Sequence, residues 1–153
     1  MTQVTLEAAT PFIAWSRIWN LSLGPEPVSQ AWRSLNLPDS FEHWSGAFAA
    51  CFGRAVALDI TAPCSGAEQH LAAVCDALEL SWDGVALPRE HLAAVCELLA
   101  YAIERNEPAL AASIGRELLI PWCEYAEQQL VGEQGALKFL IDDFAQDVLV
   151  TLQ

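Results

Sequence analysis

An all-α, single-domain bundle of six or seven helices is the fold class this sequence predicts. Apolar residues recur at intervals of three and four almost everywhere along its 153 residues. Convincing period-two segments and Asn-Gly hairpin signals are lacking. The prolines and most of the glycines fall at the ends of the periodic stretches, where helices would start and stop. The length suits one domain spanning residues 1–153, and 54% hydrophobic residues suffice for a packed core.

Taken in order, Thr10-Pro11 reads as a helix cap followed by proline at the first helical position. The helix after it carries Phe12, Trp15, Trp19 and Leu23 on one face and is expected to end at Gly24-Pro25-Glu26-Pro27. A short helix over about 28–36 comes next and breaks before Pro38. Asp39 or Ser40 caps a third helix whose stripe is Phe41, Trp44, Phe48, Cys51, Phe52 and Ala55. The segment 59–66 is a loop, and Ser65 is placed to cap a fourth helix bearing Leu71, Val74, Cys75 and Leu78.

Trp82-Asp83-Gly84 reads as a turn, after which Pro88 opens the most legible helix. Its Leu92, Val95, Cys96, Leu99, Ala102 and Ile103 share one side, while Glu90, Glu97 and Glu104 share the opposite one. Glu107-Pro108 starts another helix running to about Leu119, and Pro121 predicts a break or kink. Trp122, Tyr125 and Leu130 continue the apolar face. The last helix turns Leu137, Leu140, Ile141, Phe144, Val148 and Leu149 inward and Asp142, Asp143 and Asp147 outward.

Charge narrows the function. Twenty acidic residues face seven basic ones, a formal charge of −13, and Lys138 is the one lysine. A nucleic-acid binder needs clustered cations to displace counterions from phosphates, and an anionic membrane surface would repel this chain. No apolar run approaches the roughly 20 residues of a spanning helix, and no basic stretch precedes an apolar one at the N-terminus. Five scattered cysteines without a C-x-x-C pair suit reduced thiols and a cytoplasmic location, with no metal or cofactor expected. Phosphate loops, dinucleotide fingerprints, H-E-x-x-H and serine elbows are all missing, so catalysis is not expected.

Two segments carry a resemblance. LPREHLAAVCELLAYAI, residues 87–103, resembles the Pro-x-Asp-His-Leu signature helix of the TorD/DmsD/NarJ family of molybdoenzyme maturation chaperones. RELLIPWCEYAEQQL, residues 116–130, resembles that family's second signature, a Leu-x-Pro-Trp block, and the order of the two agrees. Glu90 stands where Asp is usual, Val95 where many relatives carry Glu, and Leu118 where a His often precedes the second block.

The resemblance implies a TorD-like fold and a non-catalytic cytoplasmic chaperone. Its partner would be the apo catalytic subunit of a molybdopterin oxidoreductase, bound through a twin-arginine leader peptide. Two adjacent guanidinium groups ahead of an apolar stretch call for carboxylates beside an apolar groove. The positions matching the signature, Pro88, Glu90 and His91, are accordingly expected to edge that groove. Glu90 would accept a leader arginine, and Trp122, Trp44 and Phe48 are the candidates for its apolar wall. Either a monomer or a domain-swapped dimer suits a helical domain with a proline-bearing connector. A helical adaptor or regulatory subunit with a folded partner would share the same composition.

Overall fold

The computed structural model describes residues 2–81 and 87–152, so the expected turn at 82–84 lies outside the described residues. Among the described residues eight α-helices form: α1 (Thr2–Trp19), α2 (Pro25–Ser34), α3 (Phe41–Cys51), α4 (Ala67–Ala77), α5 (Leu92–Glu104), α6 (Pro108–Ile114), α7 (Ile120–Gln129) and α8 (Lys138–Thr151). A π turn, Gly115–Leu119, fuses α6 to α7, and a 3-10 turn, Gly132–Leu137, leads into α8. Counting the fused run once leaves seven helices, and the described residues contain isolated β-bridges but no strand. The chain is all-α, as its periodicity predicts.

Helix α5 sits at the centre. Leu92 through Cys96 and Leu98 through Ala100 are all buried, along with Ala102, while Glu97 and Glu104 face outward. The burial is wider than the single stripe expected, because Ala93, Ala94, Leu98 and Ala100 face neighbours too. Each fully buried Leu or Val contributes roughly 1.5–3 kcal/mol. Helix α1 packs along α5, and Ser16 Oγ donates to Glu97 Oε1 at 3.2 Å.

Aromatic rings fill the space beside this pair. Trp19 is surrounded by Trp15, Phe48, Phe52, Trp122 and Phe144, with centroids 5.2–6.1 Å away. Trp15 Nε1 donates to Asp147 Oδ2 at 2.7 Å, which ties α8 to α1. Asp147 is therefore half-buried and turned inward, contrary to expectation, whereas Leu149 is 43% exposed. An indole N–H among apolar groups needs an acceptor, and Asp147 supplies it.

Several boundaries move for local reasons. Pro11 does not start α1 but lies within it, since a missing N–H removes a single rung from the ladder. Leu23 falls beyond α1, and Pro25, not Val28, opens α2. Of the two candidate caps, Asp39 and Ser40, it is Ser40 that caps α3, accepting from the His43 N–H at 3.2 Å, while Ala55 lies past the helix and is exposed. Gly66, at φ +84°, takes the cap position of α4 expected for Ser65.

Pro121 causes no break. The helix runs on through it after the π turn, and Cys64 Sγ lies 3.8 Å from the Glu117 carbonyl oxygen, the acceptor an N–H at 121 would serve in α register. Gly115 opens the turn because α8 passes close: a Cβ there would lie 3.1 Å from both Leu152 Cδ2 and Val148 Cγ1. His70 on α4 holds the same turn through Ser113 Oγ at 2.8 Å and Glu117 Oε2 at 3.4 Å.

One extended segment links the two halves of the sequence. Ala57 donates its N–H to Tyr125 Oη at 3.0 Å, and its carbonyl accepts from Trp122 Nε1 at 2.9 Å. Three residues on, the Ile60 N–H donates to the Glu90 carbonyl at 3.0 Å, and the Leu92 N–H donates to the Leu58 carbonyl at 2.8 Å. Tyr125→Phe strips the Ala57 N–H of its acceptor. We expect the unfolding free energy in urea to fall by about 1–3 kcal/mol, with the m-value unchanged.

Candidate functional site

The expected site begins at the turn 88–91. Pro88 does not open α5; its carbonyl accepts the His91 N–H at 3.0 Å, closing a tight turn that precedes the helix. The reason lies in the next hydrogen bonds. The Glu90 carbonyl and the Leu92 N–H are engaged by the 58–60 segment, which holds His91 in extended backbone at φ −68°, ψ 139°. His91 is thereby the cap of α5, its Nδ1 accepting from the Ala93 N–H at 3.1 Å. Glu90 lies just before the cap rather than in the first helical turn.

Pro88 is exposed and Glu90 partly so, with 21% of its side chain accessible. Glu90 Oε1 lies 3.7 Å from Arg89 Nε, a loose ion pair longer than a hydrogen bond. Burial pushes the Cys75 thiol on α4 up, and the Arg89 guanidinium pulls against the shift. Burial lowers the His91 pKa below its usual 6.5, with the Asp59 carboxylate opposing. A neutral ring suits the cap, because Nδ1 must keep its lone pair to accept from Ala93.

The other three predicted residues do not join this turn. Trp122 is fully buried against Trp19 and Phe144 and so offers a client no surface; its indole instead holds the Ala57 carbonyl. Trp44 is half-buried against Phe139 and His43, at centroid distances of 5.1 and 5.0 Å, and its buried indole N–H finds no acceptor among the described residues. Phe48 is 3% exposed and packs on Phe52 and Trp19.

Phe48 does reach a cleft, however. About 400 Å³ opens between the end of α1, the start of α2 and the α3 stripe. Ile18, Leu21, Leu23, Val28, Phe41, Phe48 and Phe52 line it, with Asn20, Ser45 and Arg54 as its polar groups. Leu23, Phe41, Phe48 and Phe52 fall on the apolar faces expected from the sequence, whereas Leu21 and Arg54 lie outside any helical period. A second, shallow depression of about 580 Å³ joins Glu124, Glu127, Leu130, Val131 and Lys138. There, hydrogen bonding with Asp142 holds the Glu127 carboxyl above its ordinary range. Neither depression is lined by Pro88, Glu90 or His91.

Among the described residues no group of His, Cys, Asp and Glu is arranged to hold a metal ion, and no helix is long and apolar enough to cross a membrane. All five cysteines are free, and burial raises the thiols of Cys96 and Cys123 furthest. Such thiols are poor nucleophiles.

The His91 cap predicts a pH dependence. The folded ring binds its proton less readily than the unfolded one, so its contribution is complete above about pH 6.5 and is lost as pH falls through the lower folded value. His91→Asn keeps a good cap and removes the titration. Urea titrations from pH 7.5 down to 5 are expected to show the wild type losing stability relative to the variant.

Compared with family models, curated proteins and solved structures, the chain finds no significant match among any of the three.

Proposed function

We propose that this protein is a cytoplasmic chaperone of the TorD/DmsD/NarJ type. It binds the arginine-bearing leader of an apo molybdopterin oxidoreductase subunit and retains that subunit until its cofactor is inserted. What carries the reading is the relation between the two resembling blocks. Residues 87–103 and 116–130 lie apart in sequence, yet both hydrogen-bond to the one segment 57–60. Two signatures that form a single structural unit are stronger support than two separate stretches of helix pattern.

The chemistry of the turn agrees with a guanidinium ligand. Glu90 is partly accessible and paired only loosely with its neighbour Arg89, so a client arginine offering two parallel N–H groups competes well for it. The formal charge of −13 steers a cationic leader toward the protein, most strongly at low salt. His91 serves the site by position: as the cap it fixes where Glu90 emerges.

Isothermal titration with a synthetic twin-arginine leader tests the reading. The wild type is expected to bind saturably and more weakly as salt rises, and Glu90→Gln to weaken binding about tenfold, or about 1.4 kcal/mol. Replacing the arginine pair with two lysines should weaken binding similarly. Equal affinity for wild type and Glu90→Gln, with unchanged circular dichroism, would overturn the assignment of Glu90.

A further inference from the structure

The cleft beside α3 has a character opposite to that of the 88–91 turn. Its walls are apolar, and among its lining residues Arg54 is the one charged group. In a chain with twenty acids and seven bases, Arg54 is exposed yet has no carboxylate partner among the described residues. A cation at the rim repels an arginine-bearing leader. The cleft therefore suits a different ligand.

Its remaining features specify that ligand. Gly53, at φ +84°, brings the backbone against the lip: a Cβ there would lie 2.7 Å from Leu21 Cδ1. Leu21 is itself 50% exposed, an apolar lip waiting for cover. Asn20 accepts through its Oδ1 from the Ser22 N–H and Oγ, at 3.1 and 2.6 Å, which leaves its amide N–H groups for a ligand oxygen. The volume of about 400 Å³ holds roughly a dozen atoms at ~30 Å³ each, within the usual range for small-molecule sites.

We propose that this cleft binds a small amphipathic carboxylate. Its apolar tail would lie against the exposed Leu21 and the half-buried Phe41, with its head on the Arg54 guanidinium. The overall charge opposes an anion at long range, so affinity comes from short, charge-assisted pairing and apolar burial. The inference does not depend on the proposed chaperone role.

Decanoate, kept below its micellar concentration, is the probe, titrated into the full chain by calorimetry and tryptophan fluorescence. Trp19 lies within 6.1 Å of Phe48 and 5.2 Å of Phe52 and reports on the site. Saturable one-to-one binding is expected, at least tenfold tighter than that of decanol or decyltrimethylammonium. Arg54→Gln should weaken decanoate about tenfold while leaving the leader-peptide titration unchanged. Ala49→Trp, at an exposed position on the cleft wall, should block decanoate without lowering the melting temperature. Equal binding of decanoate and decanol, indifference to both substitutions, or no saturable binding would overturn the proposal. So would a peptide with a free apolar C-terminal residue that displaces decanoate at higher affinity, which would make the cleft a receptor for chain ends.

Discussion

Helix α5 is buried around nearly its whole circumference, and that burial constrains everything near its start. The first N–H groups of any helix lack intrahelical partners, and at a buried end water cannot supply them. Here the Leu92 N–H is met by the Leu58 carbonyl and the Ala93 N–H by the His91 ring. The first of these, together with the Ile60 N–H to Glu90 carbonyl bond, sets the 58–60 segment beside the turn 88–91. The same segment is gripped from the other side by Trp122 and Tyr125 at Ala57. Satisfying one helix end thus places α7, the loop before α4 and the turn carrying Glu90.

The π turn completes this arrangement. One extra residue in the helix shifts every downstream side chain by about 100° around the axis. Gly115 lets α8 come close at that point, and the Cys64 thiol lies near the carbonyl that Pro121 leaves without its usual donor. The helix continues through the proline, so α6, the π turn and α7 form one uninterrupted helical run. Trp19 lies where α1, α3, α7 and α8 meet, its indole N–H buried without an acceptor among the described residues. Such a group costs about 1–3 kcal/mol, offset here by extensive ring contact.

The surface separates into regions of different chemistry. The 88–91 turn offers a carboxylate held loosely by its neighbour; the cleft beside α3 offers apolar rings and a lone guanidinium. Trp122 and Phe48, both expected at a client groove, instead belong mainly to the core, with Phe48 also forming part of the cleft wall. Their aromatic character is plain in the sequence. Which way they point follows from the π turn and from the close packing of α3 on Trp19.

What the sequence determined is what short-range physics controls. Helical period, a cap at Asp39 or Ser40, the Glu107-Pro108 start and most inward residues of α4 and α5 follow from contacts within a turn or two of chain. The tertiary structure decided matters that local patterns leave degenerate. Ser65 and Gly66 are both acceptable helix starts, and alanines such as Ala93 and Ala100 fit inside or outside. Asp147 reads as solvent-facing until an indole needs an acceptor. The cleft draws on α1, α2, α3 and their connections, and no period within one helix encodes it. Most buried polar groups find partners wherever the chain brings them, the Trp19 and Trp44 indoles being exceptions among the described residues, and that requirement, acting across long sequence separations, settled much of the rest.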